Sequence, residues 1–275
     1  MDDRTMSRPG IEAIDSAGMY RGLLVYVLIV GAFLMLPLVL AVMLAFSSGG
    51  GLEFPPPGLS FKWIVKAAAT REFREGLLIS AVVAVATGLI SAIAGTSAAI
   101  AINHFRFRGR AALQALLMAP LSLPGIVIGL AILFTLPAFG LVPGIVATIG
   151  GHSVIGVPYV AYMVLASLSN YDMSLDRASA SLGAGQWQTF RRITLPIISP
   201  GVTAGTVCAM LLSFDNVALS LFLSNGNTLP LRMMQSMQFY TDPSVAAVSV
   251  LLVALSLAAV PFLKRSFRET HMERA

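Results

Sequence analysis

Charge is scarce in this chain. Only 11% of its 275 residues are Asp, Glu, Lys or Arg, against 56% hydrophobic residues, and a soluble domain carries about a quarter charged residues. So little polar surface excludes a water-soluble globule and leaves lipid as the main solvent; one integral membrane domain is expected. Cysteine is nearly absent. Cys208, the single one, lies in an apolar run, which excludes an intrachain disulfide or a cysteine metal cluster. No Gly-x-x-x-x-Gly-Lys-[Ser/Thr] phosphate loop occurs. No nucleophile, base and acid stand in a recognisable pattern, so no catalytic residue is assigned, and no metal site. The net charge of +5, from 18 Lys+Arg against 13 Asp+Glu, reports loops held at an anionic leaflet rather than a nucleic-acid partner.

What is present is a series of long apolar runs. Residues 1–22 read as a polar cytoplasmic tail, and a membrane domain follows over 23–263. Spans are expected near 23–46, 77–102, 112–136, 145–168, 197–223 and 244–263, each able to cross about 30 Å of hydrocarbon at about 1.5 Å per residue. The first run is too long for a signal-peptide core and lacks a small-x-small cleavage site, so it reads as an uncleaved anchor. Span 77–102 holds Gly88, Ser91, Gly95 and Ser97; small residues let helices approach closely in lipid, so this span belongs at the bundle centre. Pro120, Pro124 and Pro158 predict broken or kinked helices. Between spans, an interfacial helix near 61–70 carries Trp63 as a membrane anchor, and 231–240 is amphipathic. Residues 264–275 form a second polar tail.

Six spans put both termini on one side. The tails and even-numbered connections hold 13 of the 18 basic residues, and the opposite side holds Lys62, Lys66, Arg71, Arg74 and Arg232. The positive-inside rule therefore places both termini and the connection 172–196 in the cytoplasm.

That connection is the polar exception in an apolar chain. Ser174 is expected as an N-cap, with Asp176 in the first turn where the helix dipole favours a negative charge. Ala178, Ser179, Ala180, Ser181 and Leu182 continue a small-residue helix, Gly183 supplies a left-handed C-cap, and a second short helix covers Gln186–Ile193. Pro196 marks the entry to the next span. The physical reading leaves two possibilities, a plain connector or a hairpin that inserts into a partner's groove.

The same residues resemble the cytoplasmic "EAA" loop of bacterial ABC importer permeases: Glu-Ala-Ala, three residues, Gly, nine residues, Ile-x-Leu-Pro. Ala178, Gly183, Ile193, Leu195 and Pro196 fall on the pattern, while Arg177 stands at the acid's position and Ser179 at the second alanine's. His104-Phe105-Arg106-Phe107-Arg108-Gly109, Ser213-Phe214-Asp215-Asn216-Val217, Thr228-Leu229-Pro230-Leu231 and Asp242-Pro243-Ser244 are similar to the spermidine and putrescine permeases. The resemblance implies an all-α type I importer bundle (MetI-like) of six transmembrane helices. It implies a pair of cytoplasmic ATPases that hold ATP and Mg and dock on Asp176, Arg177, Ala178, Ser179, Leu182, Gly183, Ile193, Leu195 and Pro196. A second permease subunit, of a different sequence in that subgroup, and an external solute-binding protein complete the complex. This chain itself binds no cofactor in that scheme.

Four residues are candidates for the substrate pathway. Outside the loops, Asp215 is the sole acid in or near an apolar span, about 26 Å along its helix from the cytoplasmic start, hence near the outer mouth; it either attracts a cation or makes a structural hydrogen bond. Asn216 shares its site. Tyr159 and Tyr162, beside Pro158, offer cation–π faces or simple packing. His152 reads as an interfacial residue, and Met233, Met234 and Met237 as apolar filler or a docking surface. Three rivals remain at this stage: a type I importer of an organic anion, thiamine-like compound or metal complex; an ion-coupled secondary transporter; and a non-transporting scaffold.

Overall fold

The computed structural model describes residues 16–169, 171–239 and 241–257. Helix α1, Ser16–Ala45, is apolar around its whole circumference and leaves most of its side chains exposed between Tyr20 and Val39, with Ala45 buried at its end. The Gly- and Pro-rich stretch that follows is closed by an antiparallel bridge between Ser47 and Leu59. Helix α2, Lys62–Ala69, is the short helix expected near 61–70. Trp63, expected at the lipid interface, is instead buried, and its indole N–H donates to Gly49 O at 3.0 Å. A buried indole needs an acceptor, and the loop carbonyl supplies it. Lys66 Nζ lies 2.6 Å from Asp242 Oδ2, and Asp242 Oδ1 accepts the Ser244 N–H that opens helix α12, Ser244–Leu257. These elements form one unit, the chain up to Ala68 together with the chain from Thr241.

The second unit, Ala69–Tyr240, holds the central bundle. Helix α3, Arg71–His104, packs against α6, Ile145–Leu168, and α9, Leu195–Phe214. Small residues make this possible. A Cβ added at Gly95 would lie 2.8 Å from Val157 O and 2.8 Å from Val160 Cβ, so the α3 and α6 backbones approach as only glycine permits. Ala99, Val160, Ala161, Val164, Leu168, Ile198 and Ala209 fill the core between the three helices.

Two expected spans are broken. The stretch 112–136 is α4, Arg110–Met118, and α5, Gly125–Thr135, with short 3-10 turns after each; the two limbs bend by 110°. Pro124 is the cause: it has no N–H to donate and forces Leu123 into an extended conformation. The stretch 197–223 likewise divides into α9, ending at Phe214, and α10, Val217–Leu223. Asn216 stops the helix by capping the next one, its Oδ1 accepting the Leu219 N–H at 2.9 Å. The broken pieces meet: α10 packs on α5 and α6, with Leu136, Ala147, Leu219 and Leu223 buried together. Pro158, by contrast, leaves α6 continuous.

Helix α11, Leu229–Phe239, closes the unit against the start of α3. Ser80 Oγ accepts the Leu229 N–H at 2.9 Å, and Arg232 donates to Glu72 O at 2.6 Å. Among the described residues, four helices are long and apolar enough to span a membrane, or five when the bent pair is taken as one span. The sixth expected span is described as far as Leu257. Residues 1–15, the rest of that span, the tail 264–275 and hence the placement of the termini lie outside the described residues, while 16–22, expected in the polar tail, open α1.

Candidate coupling hairpin and pathway residues

The connection after α6 folds as a helical hairpin. Ser174 is not the N-cap: Met173 holds that position, and the Asp172 carboxylate just before it accepts from the Ser174 N–H at 2.8 Å and the Ser174 hydroxyl at 2.6 Å. Ser174 itself is the first residue of α7, Ser174–Ser181. The hydroxyl, then the backbone N–H, hold the Asp172 carboxyl below the usual carboxylate range. The helix ends in a Schellman motif. Gly183 has φ +80°, its N–H donates to Ala180 O at 3.0 Å, and the Ala184 N–H donates to Ser179 O at 3.1 Å. The second limb is α8, Gln186–Thr189, with Gln188 Oε1 accepting the Gly185 N–H. It does not stop near Ile193. One π-helical turn, Phe190–Thr194, joins it to α9, so a single helical path runs Gln186–Phe214. The Leu195 N–H reaches back to Phe190 O, five residues away; widening the helix there accommodates Pro196, which cannot make the ordinary bond.

The hairpin sorts the motif residues by direction. Ser179 is buried between the limbs, its hydroxyl 2.8 Å from Thr189 Oγ1. The serine that replaces alanine in the pattern therefore ties α7 to α8. Asp176 turns inward. The Tyr171 hydroxyl donates to its Oδ1 at 2.5 Å, and His104 Nε2, at the end of α3, lies 3.2 Å from its Oδ2. Thr194 Oγ1, in the π turn, is 3.2 Å from the same Tyr171 hydroxyl. Burial, then the hydrogen bond to Asp176, push the Tyr171 phenol above its ordinary pKa. Ile193, Leu195 and Pro196 are half-buried at the root of α9. Arg177 and Ala178 face out, and Leu182, beside Gly183 at the elbow, is 88% exposed. Trp187, on the second limb, is 69% exposed, its ring 5.5 Å from that of Phe190. The outward face thus combines one arginine with a leucine and a tryptophan around a rigid elbow.

The four pathway candidates do not form one cluster. Asp215 is exposed just past the end of α9, and among the described residues its carboxylate shows no hydrogen bond. Asn216 is the α10 cap. Tyr159 is half-buried and Tyr162 exposed, three residues apart on one face of α6. His152 on α6 meets Ser213 on α9, so Asp215 lies near the level of residue 150, and Tyr159 stands about 13 Å further along the helix axis.

Sequence reasoning misplaced His152. It is 2% exposed, with Nδ1 2.8 Å from Ser213 Oγ and Nε2 3.3 Å from Ser220 Oγ. The ring therefore staples both sides of the break at Asp215-Asn216. Tyr171 and Thr194 escaped notice altogether, because their partners lie in other elements and leave no periodic signal.

The chain is similar to known proteins in sequence and in fold. The family described as binding-protein-dependent transport system inner membrane component matches residues 84–268. The chain is 27% identical over 238 residues to the spermidine/putrescine transport system permease protein PotC of Haemophilus influenzae, covering 86% of this chain and 92% of that one. It is 28% identical over 239 residues to the putrescine transport system permease protein PotI of Escherichia coli (strain K12), covering 83% and 85%. The molybdenum transport system permease protein ModB of the same organism is 30% identical over 185 residues, 59% of this chain and 81% of that one. In fold, the chain is similar to a bacterial ABC transporter involved in the import of the acidic polysaccharide alginate. The TM-score is 0.68 at 13% identity, over 95% of this chain and 100% of that one. An inward-facing MetNI methionine ABC transporter gives 0.61 at 21%, over 72% and 95%.

Proposed function

The chain belongs to the binding-protein-dependent transport inner membrane component family, a multi-pass protein of the bacterial inner membrane, and we propose that it is the permease subunit through which a polyamine enters the cell. Permeases of this family work with an ATPase and a partner permease. In the proposed complex the ATPases form a cytoplasmic pair carrying ATP and Mg, the partner permease is a different chain, and an external binding protein delivers spermidine, putrescine or a similar small cation. The polyamine reading is supported by the two relatives named for these substrates, which align over more than four-fifths of the chain.

One observation carries the coupling role: the hairpin is exposed at its elbow and wired inward at its root. Closure of the ATPases would push on Arg177, Leu182 and Gly183. The push has two exits from α7 and α8. Asp176 hands it to His104 and hence to α3; the unbroken path through the π turn hands it to α9. Both helices belong to the packed core, so they move as bodies rather than bend, as alternating access requires.

Uptake of labelled spermidine into proteoliposomes containing the whole complex tests this reading. Uptake should need ATP and the binding protein, and unlabelled putrescine should compete where molybdate does not. Competition by molybdate alone would transfer the chain to an anion importer. Transport by the chain without any ATPase would sink the importer reading.

A further inference from the structure

We propose that the link between α3 and α4 is a docking site for the phosphate headgroup of an anionic phospholipid. Residues 105–109 leave the end of α3 in an irregular conformation. Arg106, Arg108 and Arg110 are all exposed, and with Phe107 they line an open cavity of about 520 Å³. No carboxylate lies within ion-pair distance of these three arginines among the described residues. Three guanidinium groups around one opening repel each other until an anion joins them, and arginine grips a phosphate through paired, parallel N–H donors.

The flanking structure decides which anion. Both neighbouring helices are apolar: α3 carries no charged side chain from Gly76 to Asn103, and α4 carries none after Arg110. The arginines are therefore held where two apolar helices meet the polar edge of one leaflet, on the side that the basic residues mark as cytoplasmic. Phe105, 62% exposed, and Phe107 alternate with them, and Leu116 on α4 is exposed as well. Aromatic and aliphatic side chains beside a guanidinium cluster match the junction of acyl chain and headgroup, where a free phosphate or an acidic protein surface would leave them in water. The left-handed backbone at Gly109, φ +95°, turns the chain so that Arg108 and Arg110 stand on either side of it.

The site is tested on the assembled transporter, stripped of lipid in detergent and titrated while bound lipid is counted by native mass spectrometry. Phosphatidylglycerol should bind and phosphatidylcholine should not. Inorganic phosphate at equal concentration should not displace it. Changing Arg106, Arg108 and Arg110 together to Gln should weaken phosphatidylglycerol binding at least tenfold, while Lys at all three, which keeps the charge but loses the paired donors, should weaken it less than Gln does. Equal lipid binding by the Gln variant would overturn the proposal. So would displacement by inorganic phosphate, or loss of the ATPase subunit from the Gln variant with lipid binding unchanged, which would make the patch a protein contact. The competition and the Lys variant keep the test decisive should the Gln variant fail to assemble.

Discussion

Asp176 on α7 lies 3.2 Å from His104 at the end of α3, and the same carboxylate accepts the Tyr171 hydroxyl. The contact joins the hairpin to a core helix across 72 residues of chain. Asp176→Asn keeps a hydrogen-bonding side chain but removes its charge. Spermidine uptake by the complex should fall several-fold while the ATPase subunit still co-purifies. Uptake per ATP hydrolysed is the quantity to measure; an unchanged ratio would show that α3 takes its motion from elsewhere.

Gly183 sits at φ +80° with open space where a side chain would be. A substitution there is opposed by backbone conformation, not by a clash. Gly183→Val should cost at least about 1–2 kcal/mol locally, loosen the Schellman turn and reduce retention of the ATPase on a pull-down. Gly183→Asn should be milder, since Asn tolerates the left-handed region.

His152 bonds Ser213 and Ser220 on either side of the helix break. His152→Leu leaves two buried hydroxyls without their partner, at about 1–3 kcal/mol for an unsatisfied group. The thermal midpoint of the detergent-solubilised protein should drop by several degrees. Adding Ser213→Ala and Ser220→Ala should recover part of that loss, because no polar group is then left stranded.

Asp215 is exposed at the same break, its carboxylate without a hydrogen bond among the described residues. Asp215→Asn should leave the thermal midpoint unchanged and raise the KM for spermidine. An unaltered KM would remove Asp215 from the pathway and leave it as a chain end between two helices.

Stability should also depend on acid through the Lys66–Asp242 pair. Burial raises the Asp242 pKa, but hydrogen bonds from Lys66 and Ser244 outweigh it and hold the carboxyl below its ordinary value. A lowered native pKa gives stabilisation that is complete above the unfolded value, near about 4, and is lost as pH falls through the native one. Melting curves of the wild type and Asp242→Asn should differ at neutral pH and converge in acid.

Much of the helical hairpin is legible in the sequence because it is local. Gly183 needs a left-handed turn, the small-residue run forms a helix, and the spacing to Ile193 and Leu195-Pro196 is a property of one segment. The errors were local too, but depended on competition: Asp172 and Ser174 both have capping side chains, and the aspartate accepts two hydrogen bonds from Ser174 while Met173 holds the N-cap position. The second limb was read as separate because Pro196 signals an interruption. The helix instead widened by one π turn and continued.

Composition and run length by themselves determined the solvent and the all-helical class, because a bilayer admits only helices and closed barrels, and uninterrupted apolar runs of about 20 residues or more fit helices. They did not determine where those runs break. Pro158 is carried inside a continuous helix, while at Pro124, whose preceding Leu123 is extended, the chain turns by 110°. Tertiary structure alone turned Asp176 toward His104, buried His152 between two serines and pointed Leu182 outward. Those orientations come from contacts between residues far apart in the chain, which no periodicity along it records.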